Sequence, residues 1–554
     1  MKKLISFKSV KRGKKVSSRG KKLFLNTGSS LIFQVTTIIC GFILPRLILK
    51  AFGSEVNGLV NSITQFLGII SFLELGVGSV IQSSLYKPLA DKDENQISKV
   101  VVSGQKFFSK LALILLVYVI ILMGIYPFIA NQKFGFVYTA TMIAVISISS
   151  FAQYYFGIVN RLLLTADQKG YISYNAQTIT LILNTVACFI LIKIGASIHI
   201  VKLTTSLIYI VRPIVLAIYV KRHYKLNWKI QYEGEPIKQK WNGVAQHVSA
   251  VILDGTDNIV LTIFSGLKAV SVYSVYNLVV SGVKQLLLSM TNGIQSLIGE
   301  LWAKKELDNL YSFFGWVEWS IHTGTTFIFG ITSILIIPFV QVYTSGVSDV
   351  NYIQPLFAIL IVVANAGHCL RLPYNIMILA GGHYKQTQRN YIIAAIINIV
   401  ISIVAVKTWG LVGVAIGTAI AMFYQTIWMA FYDSKNLIKW PFTKFLKQIA
   451  VDFITVFFLH IIANPEIGGK ISVINRLFVL STVSYVSWIV LAIKIVMLTF
   501  LLVVSINFIF YKVYVIKVKK GVSEMIRKMI GGGIGSDSPI AEIIKKEQVY
   551  RYAC

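Results

Sequence analysis

The sequence predicts an all-α polytopic membrane protein with about fourteen transmembrane helices. Hydrophobic residues make up 55% of the 554-residue chain and charged residues 14%, whereas soluble domains carry about 25% charged residues. At least a dozen nearly uncharged apolar stretches divide the chain, and a helix needs about 20 apolar residues to cross about 30 Å of hydrocarbon. All spans must be helical, because an open strand would leave backbone groups unpaired in lipid.

The spans follow the apolar stretches in order. We place them at residues 26–49, 56–85, 107–130, 136–164, 172–194, 200–220, 242–265, 270–300, 316–343, 352–380, 391–406, 410–431, 445–462 and 489–510. The second, fourth and eighth stretches are long and contain glycines, which predicts tilt or a break. Residues 471–510 are interrupted by Arg476 and Lys494. We interpret them as an interfacial amphipathic helix followed by one span, with two short spans as the alternative.

The charged residues indicate the orientation. Ten Lys or Arg precede the first span, and the next basic gaps lie at 86–106, 220–241, 433–447 and from 512 onward. Cationic loops stay in the cytoplasm, so both termini are predicted to be cytoplasmic. This orientation, together with attraction to anionic lipids, accounts for the net charge of +31. No nucleic-acid-binding module accompanies the charge, and no nucleic-acid partner is expected.

The chain resembles itself at an offset of 214 residues, which places Ala166, Asn184 and Lys193 on Ala380, Asn398 and Lys407. This offset equals six spans, so the two halves share one orientation and are expected to enclose a central cavity. The predicted organisation is a basic cytoplasmic segment (1–25), an N-lobe (26–220), a basic loop (221–241), a C-lobe (242–431), two additional spans with an interfacial helix (432–515) and a basic, glycine-containing cytoplasmic tail (516–554).

Buried cations point to an anionic substrate. An ionisable group at the centre of a span costs about 2.5–3.5 kcal/mol, so such groups are expected to line a wet cavity or to form ion pairs. The candidate cations are Arg46, Lys110, Arg212, Lys284 and Arg371. The planar guanidinium fork suits phosphate oxygens, which predicts a site for a phosphate or diphosphate. For Arg46, Lys110 and Arg212 the alternative is that the side chain snorkels to the interface.

Prolines accompany two of these arginines. Pro45 precedes Arg46, and Pro373 follows Arg371 after one residue. A proline inside a helix removes one backbone donor and tends to kink the helix. The sequence therefore predicts an exposed carbonyl beside Arg46 and a similar interruption at Arg371.

Acidic residues in the spans are candidates for ion coupling. Asp254 and Asp257 are one helical turn apart and share a face. Two close carboxylates repel when both are ionised, which favours binding of a proton or cation. The alternative is that they neutralise Lys284 or Arg371. Glu74 is either a helix–helix hydrogen-bonding group or a third coupling residue.

Enzymatic motifs are absent from the sequence. It has no Gly-x-x-x-x-Gly-Lys-Ser/Thr phosphate loop, no zinc-protease motif and no Cys/His cluster. The largest loop that we infer, 220–241, is too short for a catalytic domain. The sequence predicts a transporter rather than an enzyme, with no metal or cofactor and with H⁺ or Na⁺ coupling left open.

Several segments resemble bacterial polysaccharide flippases. They are Pro45–Leu47, Phe52–Leu59, Phe72–Gly78, Asp257, Val272–Tyr276 and Gly299–Glu300. These flippases are the branch of the multidrug/oligosaccharidyl-lipid/polysaccharide exporter superfamily that translocates lipid-linked O-antigen or capsule repeat units. The resemblance runs from about Gly28 to Lys512 and leaves the C-terminal tail out.

This resemblance implies two six-helix lobes that open alternately to either side of a bacterial cytoplasmic (inner) membrane. The implied substrate is an undecaprenyl-diphosphate oligosaccharide, moved from the inner to the outer leaflet, and the glycan polymerase machinery is an implied partner. By the same resemblance, Arg46, Asp254, Asp257, Lys284 and Arg371 would line the cavity. Three alternatives stay open: a lipid II flippase, a cation-coupled drug antiporter of the same superfamily, and a membrane glycosyltransferase or polymerase.

Overall fold

The computed structural model describes residues 18–129, 134–232, 234, 244–463, 478–480, 483–516 and 518. Within these ranges the regular secondary structure is helical throughout, with no strand. This confirms the predicted all-α membrane architecture. The predicted interfacial helix near 471–488 falls mostly on residues outside the described ranges.

The helices run in chain order with short connections. Their bounds are α1 (Ser18–Gly68), α2 (Ser71–Asp91), α3 (Glu94–Ile129), α4 (Phe136–Ala152), a π-helical turn (Gln153–Gly157), α5 (Ile158–Ala166), α6 (Gly170–Lys193), α7 (Ile198–His223), α8 (Val244–Phe264), α9 (Leu267–Ala303), α10 (Leu307–Tyr343), α11 (Pro355–Leu370), α12 (Leu372–Ala380), α13 (Tyr384–Trp409), α14 (Leu411–Asn436), α15 (Phe442–Ala463) and α16 (Tyr485–Phe510).

Eleven helical segments of the described chain are long and apolar enough to cross a membrane. They are Leu25–Gly68, Glu94–Ile129, Phe136–Ala166, Gly170–Lys193, Ile198–His223, Leu307–Tyr343, Pro355–Ala380, Lys385–Trp409, Leu411–Asn436, Phe442–Ala463 and Tyr485–Phe510. Helices α2, α8 and α9 are outside this set, although they overlap the second, seventh and eighth predicted spans. The count of fourteen therefore stays a prediction.

Contacts divide the chain into two compact units. The first contains the described parts of Met1–Leu47, Leu73–Pro127 and Phe134–Asn242, and the second contains those of Ile48–Phe72, Phe128–Lys133 and Gly243–Cys554. Residues 48–72 thus pack with the second unit, although they lie in the sequence range of the predicted N-lobe. The proposed lobe boundaries at 220 and 242 stay predictions.

Helix α1 is interrupted at Gly53 rather than at Pro45. Gly53 has φ +80° and ψ 176°, and the helix continues unbroken through Pro45. A positive φ is open to glycine at little cost, whereas a residue with a Cβ would be strained there. The kink expected beside Arg46 stays a prediction, and the non-helical residue of α1 lies eight residues after Pro45.

The Gly53 break is fastened by an acidic residue in the connection between α10 and α11. The Asp349 carboxylate accepts hydrogen bonds from the backbone N–H of Ser54 at 2.8 Å and from its hydroxyl at 2.6 Å. The Ser54 hydroxyl also lies 2.6 Å from the Tyr352 hydroxyl. At the break a backbone donor loses its acceptor within the helix. The connection between α10 and α11 supplies an acceptor in its place.

Equivalent interruptions occur in the two halves of the sequence. The π-helical turn ends at Gly157 and divides α4 from α5, and Arg371 divides α11 from α12. These two positions lie 214 residues apart, at the offset of the internal repeat. The break predicted in the fourth stretch is confirmed at the π-helical turn, whereas the eighth stretch, in α9, is one continuous helix.

The repeated asparagines make equivalent contacts. Asn184 in α6 donates to the Tyr209 hydroxyl of α7 at 3.2 Å, and Asn398 in α13 donates to the Thr418 hydroxyl of α14 at 2.9 Å. Both asparagines have no exposed surface. An amide in an apolar helix needs such a partner, so each half uses its asparagine to join two consecutive antiparallel helices.

Small residues let α13 and α14 approach closely. A Cβ on Gly413 would come within 2.3 Å of the backbone of Ala405, and a Cβ on Gly417 would come within 2.3 Å of the Ser402 hydroxyl. Backbones at this separation gain many dispersion contacts, which is how helices associate in lipid. This pairing positions Asn398 against Thr418.

We predict that Asp349→Asn destabilises the protein in a pH-dependent way. Burial alone would raise the pKa of Asp349, but the hydrogen bonds from Ser54 and the charge of Lys268 outweigh burial, so the pKa lies below its ordinary value of 3.8. A lowered folded-state pKa stabilises the fold fully above the ordinary pKa, and this contribution disappears as the pH falls through the folded-state value. The Tm gap between wild type and variant should be constant at neutral pH and close below about pH 4.

The measurement is thermal unfolding of the purified protein in detergent across this pH range. Asp91→Asn, which changes an exposed aspartate at the end of α2, serves as the matched control. A gap for Asp349→Asn that persists unchanged at pH 3 would show that the carboxylate charge is not its source.

Candidate functional site

Four helices of the second unit surround a polar cavity of about 290 Å³. Helices α8, α9, α11 and α14 supply its walls. The lining residues are Leu253, Asp257, Tyr273, Asn277, Ser281, Lys284, Gln285, Leu288, Ile361, Ala364, Asn365, Ala415, Thr418 and Met422. Among these residues Lys284 is the one cation and Asp257 the one carboxylate, so the cavity brings together a predicted substrate-binding residue and a predicted coupling residue.

One face of α9 supplies much of the polar lining. Tyr273, Asn277, Ser281, Lys284 and Leu288 follow one another at intervals of three or four residues. This spacing places them on a single side of the helix. The polar stripe in an otherwise apolar helix is therefore the sequence signal for the cavity.

Asp257 is held in the cavity wall by two hydroxyl groups. The Tyr273 hydroxyl donates to its Oδ2 at 3.0 Å, and the Thr418 hydroxyl lies 2.8 Å from Oδ1 and 2.9 Å from Oδ2. The amide of Asn398 donates in turn to the Thr418 oxygen at 2.9 Å. Asp257 is 4% exposed. A chain of donors from three helices therefore converges on one buried carboxylate, an arrangement that can accept a proton or a small cation.

Arg371 occupies the interruption between α11 and α12 and is 6% exposed. Its Nη2 lies 3.2 Å from Nδ1 of His368, the nitrogen that accepts this hydrogen bond. Its Nε and Nη1 have no hydrogen-bond partner among the described residues. The predicted interruption at this arginine is confirmed. Arg371 lies outside the set of residues that line the cavity.

The first unit holds the other three candidate cations in different surroundings. Arg212 donates from Nε to the Thr180 hydroxyl at 2.6 Å, and its guanidinium lies 3.7 Å from the centre of the Tyr209 ring. It lines a small cavity of about 30 Å³. Arg46 is half-buried and Lys110 is exposed, and neither lines this cavity or the larger one.

The structure describes no side chain for the remaining two predicted coupling residues. Glu74 lies in α2 and Asp254 in α8, and nothing is derived from either side chain. The expected contact between Asp254 and Asp257 stays a prediction.

Sequence reasoning missed several residues of the two cavities. Thr418 and Asn365 are short polar side chains in apolar helices, which most often bond their own backbone. Arg161 joins Arg212 in the small cavity beside the π-helical turn. The turn itself was the available signal, because π-turns in helices frequently mark functional sites.

Comparison with known proteins identifies the fold. No family model matches the sequence, and no curated protein matches it. A structure of the lipid II flippase MurJ in an inward closed conformation aligns with a TM-score of 0.64 and 15% identity, over 88% of this chain and 99% of the flippase. An inward-facing multidrug resistance MATE transporter of the MOP superfamily aligns with a TM-score of 0.54 and 15% identity, over 76% of this chain and 98% of the transporter.

A third neighbour is a MOP superfamily transporter from Pyrococcus furiosus, with a TM-score of 0.53 and 14% identity over 76% of this chain and 95% of that protein. Its binding pocket is described as having reverse polarity. At these identities the likeness shows the fold alone. The chain therefore shares the fold of these transporters, and both the superfamily and its polysaccharide branch stay proposals.

We predict that Thr418→Val lowers the free energy of unfolding by about 1–3 kcal/mol, because it removes one hydroxyl donor from the buried Asp257 and the acceptor of the Asn398 amide. Chemical unfolding in detergent measures this loss. Combining Thr418→Val with Asp257→Asn should cost less than the sum of the two single changes, since the residues share one network.

Thr455→Val is the matched control. Thr455 is buried, and its hydroxyl donates at 2.7 Å to the Val451 carbonyl of its own helix. It should lose less stability than Thr418→Val. Equal losses in the two variants would show that the Thr418 hydroxyl adds nothing beyond helix packing.

Proposed function

We propose that this protein flips an undecaprenyl-diphosphate-linked oligosaccharide repeat unit from the cytoplasmic to the outer leaflet, for surface polysaccharide synthesis. The observation that carries the proposal is the polar cavity of the second unit, where Lys284 lies among amide and hydroxyl side chains. A lysine in a cavity that also offers amide and hydroxyl groups suits a diphosphate joined to sugars. The reaction is transport without chemical conversion.

Arg371 adds a second phosphate-binding group to the proposal. A buried guanidinium with unpartnered N–H donors is expensive, because each charged donor has lost its water. Phosphate oxygens accept from such donors with short, charge-assisted bonds. Arg371 and Lys284 belong to the same unit, and we assign both to the diphosphate. Arg46, Arg212 and Lys110 stay separate proposals for substrate binding within the first unit.

The likeness to the flippase MurJ supports a lipid-linked substrate. The flippase MurJ covers 88% of this chain and the MATE transporter 76%. A match that includes α15 and α16 would cover a larger share of this chain than a match that leaves them out. A drug antiporter would need an acidic, aromatic cavity with few buried cations, whereas Lys284 and Arg371 are cationic. A lipid II flippase binds the same diphosphate chemistry and is the second candidate, favoured by the MurJ likeness.

The proposed mechanism is alternating access. The headgroup enters from the cytoplasmic leaflet, its diphosphate binds the buried cations, and the lipid tail stays in the bilayer. Opening to the other side then exposes the sugar to the outer surface. We place both termini in the cytoplasm of a bacterial inner membrane, because the basic segments favour that side.

We predict that Lys284→Ala slows translocation of a polyprenyl-diphosphate oligosaccharide about ten- to a hundredfold. A charge-assisted hydrogen bond is worth about 1.5–3 kcal/mol, and each 1.4 kcal/mol is about tenfold. The native gene is deleted, and variants are tested for restoring the surface polymer that disappears while its lipid-linked repeat unit accumulates. Lys385→Ala, which changes an exposed lysine of the same unit, should restore it fully, and Arg371→Ala should fail.

Three results would contradict this assignment. Accumulation of the peptidoglycan precursor in the deletion strain would establish a lipid II flippase instead. Unchanged glycans with altered drug or cation sensitivity would establish an antiporter. Full restoration by Lys284→Ala would remove Lys284 from the diphosphate site.

We propose that a cation bound at Asp257 supplies the energy for transport, and we predict that Asp257→Asn abolishes the response of flipping to a proton or sodium gradient in proteoliposomes. The variant keeps the size of the side chain and removes its charge. The membrane potential is the other source, since moving two negative charges outward down 100 mV is worth about 4.6 kcal/mol. An unchanged gradient response in Asp257→Asn, with loss of flipping when the potential is dissipated, would favour that source.

A further inference from the structure

A second buried polar network lies in α10, α12 and α15 and shares no residue with the cavity lining. Its members are Glu318 and His322 of α10, Tyr374 of α12, and Asp452 of α15. They are 4%, 0%, 1% and 8% exposed respectively. Burial this deep is unusual for carboxylates, and the proposed transport cycle uses none of these side chains.

The four side chains form a continuous hydrogen-bonded chain. The Tyr374 hydroxyl donates to Glu318 Oε1 at 2.6 Å, and it lies 3.4 Å from His322 Nε2. Nδ1 of His322 lies 2.7 Å from Asp452 Oδ2. The imidazole therefore stands between two carboxylates, one reached directly and the other through a phenol.

The hydrogen bonds of this chain are all made when His322 carries a second ring proton. With Glu318 ionised, Tyr374 donates its proton to Glu318, so the phenol oxygen accepts from His322 and Nε2 carries hydrogen. With Asp452 ionised as well, Asp452 accepts from Nδ1, which then also carries hydrogen. Only the imidazolium supplies both donors. A neutral ring leaves one of its two contacts unmade, so the protonation state of His322 decides whether the chain is closed.

A third buried carboxylate lies near the chain. Asp433 of α14 has no exposed surface, and neither of its carboxylate oxygens has a hydrogen-bond partner among the described residues. Its charge repels that of Glu318. Three buried carboxylates, Glu318, Asp433 and Asp452, therefore share one region, and uncompensated buried charge of this kind is expensive.

Other groups that act on the chain are few. Lys444 of α15 attracts Glu318 from a position over the Trp440 ring, 3.8 Å from its centre. The Trp440 indole donates to Glu318 Oε2 at 2.9 Å, and Thr326 donates to Asp452 Oδ1 at 2.8 Å. Tyr511, after α16, lies within electrostatic range of Glu318 and Asp452. Lys444 is the one cation in this set apart from His322.

We propose that His322 binds an exchangeable proton between Asp452 and the Tyr374–Glu318 pair, as a proton site distinct from Asp257 and the cavity. Its proton joins α10, α12 and α15 through one charge-assisted chain. Aromatic rings enclose it, with Tyr374 and Phe445 at 6.3 Å and 6.4 Å from the imidazole centre. Loss of the proton breaks the Tyr374 contact and loosens α10 from α12.

The test reads the histidine ring directly, without any transport assay. The full chain, labelled with ¹⁵N in its seven histidines, is placed in lipid nanodiscs and studied by ¹⁵N NMR at pH 7. The resonance that disappears in His322→Gln is assigned to His322. We expect both of its ring nitrogens to carry protons in the wild type, and we expect a neutral ring in Asp452→Asn.

Tyr374→Phe keeps the ring packing, removes the acceptor of Nε2, and should shift the same resonance, so it identifies His322 even where His322→Gln does not fold. Glu306→Gln, which changes an exposed residue at the start of α10, is the control and should leave the resonance unchanged. A neutral His322 in the wild type would overturn the proposal. A response to sodium at constant pH would overturn it too, because the ligand would then be a metal ion.

Discussion

The lack of hydrogen-bonding partners in hydrocarbon is the constraint on which this structure depends. Each polar side chain in a spanning helix must find its partner on another helix or on its own backbone. Asn184, Asn398 and Trp319 all meet this demand with a hydroxyl or amide of a neighbouring helix. Such contacts fix which helices lie together, because apolar faces pack against lipid almost as well as against each other.

Much of the architecture could be predicted from the sequence, because the membrane imposes length and composition on every span. Apolar runs gave the helices, and the asparagines paired by the offset of 214 residues make similar contacts. The stripe on α9 could have led from Lys284 to the cavity. Pro45 does not end the helical backbone, because α1 continues through it. The positive φ of Gly53 is incompatible with helical geometry, so the helical backbone is interrupted there.

The polar partners could not be predicted. The sequence around a threonine in an apolar helix does not show which acceptor its hydroxyl binds. Thr455 donates to a carbonyl of its own helix, whereas Thr418 donates to a carboxylate on another helix. Likewise His322 and Asp452 are 130 residues apart in the chain, and only the packing of α10 against α15 reveals that they touch. Local sequence fixes where a polar group occurs, and tertiary packing decides what it meets.

The second unit handles charge in two different ways. Around Asp257 the polar groups border a cavity, where a ligand can exchange and local dielectric is higher. Around His322 the groups are enclosed by aromatic rings, so electrostatic interactions are stronger and an unpaired charge is more costly. The wet site lies on α8, α9, α11 and α14 and the dry one on α10, α12 and α15, so the second unit keeps the two on different helices.

The paired asparagines have a consequence for what each half of the chain can carry. Asn184 joins a helix pair that carries Arg212, and Asn398 joins a pair whose Thr418 contacts Asp257 of α8. Position 426, at the repeat offset from Arg212, is a threonine. Two identical subunits could never differ in this way, because every substitution would appear twice. Two halves within one chain are free of that symmetry, so each can keep its asparagine and still surround it with a different charge.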